Sequence, residues 1–239
     1  MKKAVLLFRC TKQEGIAMVA YKLFKLKRKY PGQLFPLYVL SNESVPMGVW
    51  LSAKEGPRTA DGRVKSRLGP LCFRPGWHMS ELPLAIHIGI KVDGEIRYMH
   101  DDEVWCECEY SDGISYQAEA DANARVNGDF IQIKRKLERI PQGGYYRCKT
   151  SPMMLGEWII AGEMKVLRIL DDEEVADICR QHGYEPLPRR KPLERELYGL
   201  GHQSEIRSSE TLSIERCSSS RYSFDHPLQG SIRIQPFSS

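Results

Sequence analysis

The chain has 239 residues, a mass of 27.4 kDa and a formal net charge of +4, with 41% hydrophobic and 28% charged residues. This composition is typical of a globular protein and excludes a wholly disordered chain. No apolar run reaches the roughly 18–20 residues of a membrane-spanning helix, so we expect no membrane association. Near the N-terminus, Arg9 interrupts an apolar run that is too short for a signal peptide. The sequence therefore predicts a cytoplasmic protein.

The predicted strands come first along most of the chain. A strand over residues 19–26 precedes an apolar run over 34–40. Pro36 in this run cannot donate a ladder hydrogen bond, which indicates an edge strand or a strand broken in two. Residues 54–66 are polar and rich in glycine, which predicts an exposed, mobile loop. The clearest alternation lies in residues 104–110. Further strands are predicted over 47–53, 77–80, 145–149, 157–161 and 164–170, with Gly162 as the turn between the last two.

Helices are predicted in the intervals between these strands. Residues 115–124 and 130–138 have helical composition. Asp171 and Glu174 have the spacing of a capping box, which predicts a helix over 172–182 that ends at Gly183. The resulting fold class is α+β, strand-rich, with mixed or antiparallel sheets and inserted helices. We predict an N-terminal extension over 1–17, an α+β domain over 18–185 and a flexible, serine-rich tail over 186–239.

Seven widely spaced cysteines are an odd number, which is typical of reduced thiols in a cytoplasmic protein. Cys106 and Cys108 form a Cys-x-Cys pair, whereas structural zinc sites usually contain Cys-x₂₋₄-Cys. Because residues i and i+2 of a strand share one face, both are expected to point into the core. We therefore expect no metal. The other side chains of a type that binds zinc are Cys72, His78, His87, His100 and Cys148.

The charge is distributed unevenly. The first 29 residues hold nine Lys or Arg, whereas residues 93–112 hold eight Asp or Glu and one Arg. Glu107 and Glu109 share a strand face with Trp105 and are expected to be solvated. Residues 21–30 interleave aromatic and basic side chains, a pattern typical of proteins that bind single-stranded nucleic acid. One functional interpretation is therefore a non-catalytic module that binds nucleic acid or a host protein through this basic strand and the tail.

Residues 73–85 carry the most distinctive short pattern. Pro75 and Gly76 turn the chain, and a strand over 77–80 then places His78 and Ser80 on one face. Packing of Trp77 in the core, with His78 capping a loop, is one interpretation. The other is functional, because Gly-x-His-x-Ser-x-x-Pro-x-Ala resembles a signature that builds the nicotinamide wall in the ADP-ribosyltransferase superfamily. The matching positions are Gly76, His78, Ser80, Pro83 and Ala85.

The segment 155–170 also resembles that superfamily, in its late β-hairpin, where a glutamate precedes an aromatic-aliphatic strand. The resemblance implies NAD as the cofactor and a catalytic role for Glu157. Cleavage of the nicotinamide–ribose bond develops positive charge on the ribose, and a fixed carboxylate stabilises that charge. The structural alternative is that Glu157 is an exposed residue at the start of a strand.

The first strand departs from the superfamily's pattern, because it has no Arg or His to hold the dinucleotide. Lys22 is the available cation on that strand, and Arg74 is another candidate for the pyrophosphate. The resemblance thus implies His78 and Glu157 as catalytic residues, and Ser80, Arg74, Lys22 and Gly76 as cofactor-binding residues. The site is either active or degenerate. The pattern is also similar to that of uncharacterised proteins of phages and mobile elements.

Overall fold

The computed structural model describes residues 18–85, 100–124, 135–151, 154–186, 189 and 191–201, and the backbone alone at 90–92 and 95–97. Strands dominate this part of the chain, as the alternation of apolar residues predicts. The strands are β1 (Met18–Leu26), β2 (Leu34–Pro36), β3 (Trp50–Ser52), β4 (Trp77–Ser80), β5 (Ile90–Val92), β6 (Glu95–Arg97), β7 (Glu103–Tyr110), β8 (Ile114–Ser115), β9 (Gly144–Cys148), β10 (Trp158–Ala161) and β11 (Glu163–Ile169). The helices are α1 (Gln117–Ala122), α2 (Asp172–Gln181) and a short 3-10 helix (Arg195–Tyr198).

Nine of these strands form one sheet, in the order β3-β11-β7-β1-β4-β10-β9-β8, with β2 paired to β1 outside that path. The pairs within it are antiparallel except for β8 and β9, which are parallel, so the sheet is mixed. β5 and β6 form a separate antiparallel pair. The predicted α+β, strand-rich class with a mixed sheet is confirmed.

β1 is the central strand and determines where the sheet opens. One of its edges pairs with β7 from Met18 through Lys25. Its other edge changes partner, because Tyr21 pairs with Ser80 of β4 whereas Phe24 through Leu26 pair with β2. β2 is short and ends at Pro36, in agreement with the predicted edge strand. A fork is thus left beside the middle of β1, between β2 and β4.

β7 has the predicted alternation, and both of its faces are covered. Val104, Cys106, Cys108 and Tyr110 lie in the main core cluster, as predicted. Trp105, on the opposite face, is 2% exposed in a second cluster that includes Val175 of α2. The expectation of a solvated face is therefore wrong for Trp105. The two acids on that face form ion pairs, Glu107 with Arg168 and Glu109 with Lys165.

The helices follow local sequence signals. Asp171 accepts a hydrogen bond from the N–H of Glu174, and the Glu174 side chain accepts one from the N–H of Asp171, so the predicted capping box is present. α1 is shorter than predicted. Residues 130–134 of the second predicted helix lie outside the described residues, and 135–138 are not helical.

The packed chain continues past the predicted start of the tail at residue 186. Tyr198 and Leu200 are each 7% exposed and belong to the main core cluster. The compact unit that contains the sheet ends at Gly201. Apolar burial, rather than composition, sets this end of the fold. The predicted extension over 1–17 and the tail beyond 201 lie outside the part of the chain that the structure describes.

Candidate functional site

A cavity of about 260 Å³ opens at the fork beside β1. It is lined by Lys22 and Leu23 of β1, by Pro36 at the end of β2, and by Trp77 and His78 at the start of β4. The remaining wall comes from the end of β3 and from loops, including parts of 37–45, 53–56 and 71–76. The volume is slightly below the roughly 300–1,000 Å³ of typical small-molecule sites. The cavity is therefore sized for a small ligand or for part of a larger one.

The predicted mobile loop over 54–66 contributes to this wall. Val64 is 7% exposed, and its main chain forms isolated bridges with Arg58 and Leu71. Gly56 lies so close to the wall that an added Cβ would stand 2.3 Å from Val39 Cγ1 and 2.7 Å from Val64 Cγ2. This part of the loop is packed, because the missing side chain of Gly56 permits close contact.

Several aromatic side chains contribute to the cavity lining. Three of the chain's four tryptophans line it, together with Tyr38 and Phe73. The Trp158 ring lies 6.3 Å from the His78 ring, centroid to centroid, in a tilted arrangement. Flat aromatic surfaces favour a ligand that contains a ring. The tryptophans are Trp77, Trp105 and Trp158.

Lys22 has an unusual environment among the residues that line this cavity. Its Nζ donates a hydrogen bond of 2.7 Å to the main-chain oxygen of His78 and lies 5.6 Å from the Phe24 ring centroid and 5.7 Å from that of Trp77. Among the described residues, no carboxylate forms an ion pair with it. Burial lowers the pKa of Lys22 to about 8, an effect that the thiols of Cys108 and Cys106 partly oppose.

His78 remains neutral near pH 7. Burial lowers its pKa to about 3, and the positive charges of Lys22 and Arg74 act in the same direction. A hydrogen bond to the main chain of Arg74 opposes this shift, whereas Nε2 of His78 is buried without a hydrogen-bond partner. His78 thus presents a neutral ring with one uncommitted nitrogen.

Two further cavity residues contain buried polar atoms without a partner, namely Nε of Arg74 and Nε1 of Trp105. Buried polar groups are nearly always hydrogen-bonded, so three buried polar atoms without a hydrogen-bond partner around one cavity are unusual. Arg74 forms no ion pair within the described ranges. The carboxylate of Glu43, which also lines the cavity, is 2.7 Å from Nζ of Lys54. The cavity therefore contains two cations without acidic partners.

Four of the six predicted site residues line this cavity, namely Lys22, Arg74, Gly76 and His78. Ser80 does not line it, is 2% exposed, and accepts a hydrogen bond from the N–H of Leu82. Glu157 also lies outside the lining. Its carboxylate is 3.4 Å from Nη1 of Arg135, and its N–H donates to Glu81 over 2.9 Å.

Sequence reasoning missed part of the aromatic lining. The sequence predicts Tyr38 in a strand and Trp105 on a solvated face, yet both line the cavity. Pro36 was the available signal for Tyr38, because a proline that ends a strand releases the following residues into a loop. Trp105 gave no local signal, since the elements that cover its face are distant in sequence.

The basic run near the end of β1 is partly committed to contacts within the chain. Lys25 pairs with Asp102 over 2.8 Å, and Lys27 donates to the main-chain oxygen of Ser41 over 2.7 Å. Lys25 of the basic segment thus contacts Asp102 of the acidic segment within the chain. Binding of nucleic acid through this run stays a prediction, and the tail beyond 201 lies outside the described chain.

The described residues form an α+β fold with a cavity beside β1. No family model, curated protein or solved structure matches the chain. Within the described segments, no group of three or more His, Cys, Asp or Glu side chains has a metal-binding arrangement. No helix in those segments is long and apolar enough to cross a bilayer.

Proposed function

We propose that the protein binds a small organic anion that carries an aromatic ring, in the cavity beside β1. The observation that carries this proposal is the composition of the cavity lining. It contains two cations without an acidic partner, Lys22 and Arg74, together with three tryptophans, and its one carboxylate, that of Glu43, is already paired with Lys54. Unpaired charges are costly to bury, so an anionic ligand stabilises this arrangement. The aromatic walls supply surface for stacking.

Arg74 is the residue to which we assign recognition of the anion. Its buried Nε has no partner, and a planar guanidinium binds carboxylate or phosphate with fixed geometry. A hydrogen bond between charged groups contributes about 1.5–3 kcal/mol. Loss of the guanidinium should therefore weaken binding by roughly tenfold to a hundredfold.

Tryptophan fluorescence provides the test, because three tryptophans line the cavity. AMP and pyridoxine 5′-phosphate each combine an aromatic ring with a phosphate, and adenosine and pyridoxine are their uncharged counterparts. We expect at least one phosphate ligand to quench the fluorescence saturably and its uncharged counterpart to bind at least ~tenfold more weakly. Arg74→Met should weaken that binding, whereas Arg180→Met, on the exposed face of α2, should not. Equal binding by Arg74→Met and the unmodified chain would refute the proposal.

ADP-ribosyl transfer from NAD is the second candidate function. It is supported by the convergence of Lys22, Arg74, Gly76 and His78 on one cavity. This function also requires Glu157 to face the ribose, which means that the carboxylate must leave Arg135. A cavity of about 260 Å³ encloses only part of a dinucleotide. Incubation with labelled NAD tests for transfer and hydrolysis, and retention of either activity by Glu157→Gln would exclude Glu157 as the catalytic group.

A further inference from the structure

Lys22 differs from an ordinary surface lysine in what surrounds its amine. β1 holds the residue between β7 and the fork, so its backbone is fixed by pairing with Cys106. The single hydrogen bond that the structure gives Nζ is to a main-chain oxygen, and two aromatic rings lie within 6 Å of it. A lysine in such a setting is a nucleophile in many enzymes, because desolvation favours the neutral amine.

We infer that Lys22 is a reactive amine that forms an imine with an aldehyde or ketone group of the ligand. This inference rests on the proposed binding of an aromatic anion. It adds that the ligand also contains a carbonyl group. The Nζ lone pair adds to the carbonyl carbon, and the carbonyl oxygen then leaves as water with the two amine protons. A C=N bond replaces the C=O bond, and neither oxidant nor reductant is needed.

The charges around Lys22 suit this reaction. The thiols of Cys106 and Cys108 on β7 are the groups whose charge would interact with that of Lys22. Burial raises the pKa of both thiols, that of Cys108 to about 12. His78 of β4 is neutral, and Arg74 is a cation whose charge does not favour protonation nearby. No acidic group in the described chain therefore holds Lys22 as an ammonium ion.

The proton equilibrium predicts a selective reaction near pH 8. A lysine with a pKa of about 8 is half neutral there, whereas an ordinary lysine with a pKa of about 10.4 is less than one per cent neutral. The neutral fraction thus favours Lys22 by about a hundredfold. Reaction should increase with pH through about 8 and then level off.

Pyridoxal 5′-phosphate is a suitable probe because it joins an aldehyde, a ring and a phosphate. The full chain is incubated with it at a pH of about 8, reduced with borohydride and mapped by peptide mass spectrometry. We expect one label per chain, on Lys22, at a rate at least ~tenfold above that of any other lysine. Lys22→Arg should lose this label. Lys65→Arg, which replaces an exposed lysine outside the cavity lining, should keep it.

Pyridoxine 5′-phosphate separates failure of this inference from failure of the proposed function, because it has an alcohol in place of the aldehyde. If it binds while pyridoxal 5′-phosphate leaves Lys22 unlabelled, the cavity binds the anion and the imine inference is wrong. If Lys22 is labelled no faster than exposed lysines, the inference is also wrong. If neither compound binds, the imine inference is refuted, and binding of AMP then decides the proposed function by itself. These measurements on the unmodified chain do not depend on the folding of any variant.

Discussion

The amine of Lys22 on β1 donates a hydrogen bond of 2.7 Å to the main-chain oxygen of His78 on β4. The two residues are 56 positions apart, and their strands pair directly only through Tyr21 and Ser80. The lysine therefore spans the fork where β1 changes partner. This contact connects a partly buried cation with a partly buried neutral imidazole, and three of the following predictions concern that pair.

Replacement of Lys22 by methionine should stabilise the fold near pH 7. Lowering a lysine pKa from 10.5 to about 8 costs about 3 kcal/mol, at about 1.36 kcal/mol per pH unit. Loss of the hydrogen bond to His78 destabilises the fold by about 1 kcal/mol, so we expect the free energy of unfolding to increase by about 2 kcal/mol in total. Urea denaturation measures the free energy of unfolding of both chains.

The pH dependence of that difference provides a second check on Lys22. The unfolded chain binds a proton at Lys22 up to about pH 10.5, whereas the folded chain releases it at about 8. The stability of the unmodified chain should therefore increase from about pH 8 to 10.5 relative to Lys22→Met. A constant difference across this window would show that Lys22 is not desolvated.

His78 should make the fold sensitive to acid. Its pKa is about 3 in the folded chain and about 6.5 when unfolded, so stability should fall as the pH decreases from about 6.5 to 3. The loss attributable to this residue is up to about 4–5 kcal/mol. His78→Gln should flatten this part of the stability curve. His182→Gln, at the exposed end of α2, is the control, and an equal effect of both variants would contradict the prediction.

Gly76 should be required for steric reasons. Its φ is +142°, and an added Cβ would lie 2.6 Å from Ile160 Cγ2 and 3.2 Å from the main-chain oxygen of Ala161. Gly76→Ala combines backbone strain with overpacking and should destabilise by about 3 kcal/mol or more. Gly62 has a φ of +77°, but an added Cβ there would have no neighbour within 4 Å. Gly62→Ala should therefore destabilise the fold by only about 1–2 kcal/mol. Thermal unfolding compares them, and equal losses would contradict the clash.

Leu200 tests where the folded unit ends. It is 7% exposed in the main core cluster, so Leu200→Ala should destabilise by about 2–5 kcal/mol. Leu197, three residues earlier, is 43% exposed, and Leu197→Ala should change stability by about 0.5 kcal/mol or less. Chemical denaturation measures both. Similar small effects would place the end of the fold nearer the predicted boundary at 185.

The local elements could be predicted because their signals lie within a few residues. Alternation determines β7, and the reciprocal capping bonds of Asp171 and Glu174 determine where α2 begins. The same alternation contained an unused signal in β1. Ala20, Phe24 and Leu26 lie in the main core cluster, and the period of two places Lys22 on their face. The burial of that lysine was therefore readable from the strand pattern.

Sequence by itself thus determined the α+β class, most strands, α2 and four residues of the candidate site. The tertiary structure decided that these four residues share a cavity, that Glu157 lies outside its lining, and that Tyr198 and Leu200 belong to the core. The physical reason is the range of the interactions. Strand geometry depends on residues that are close in sequence. The fork beside Lys22 exists because β2 and β4, which are distant from each other in sequence, pair with different parts of β1.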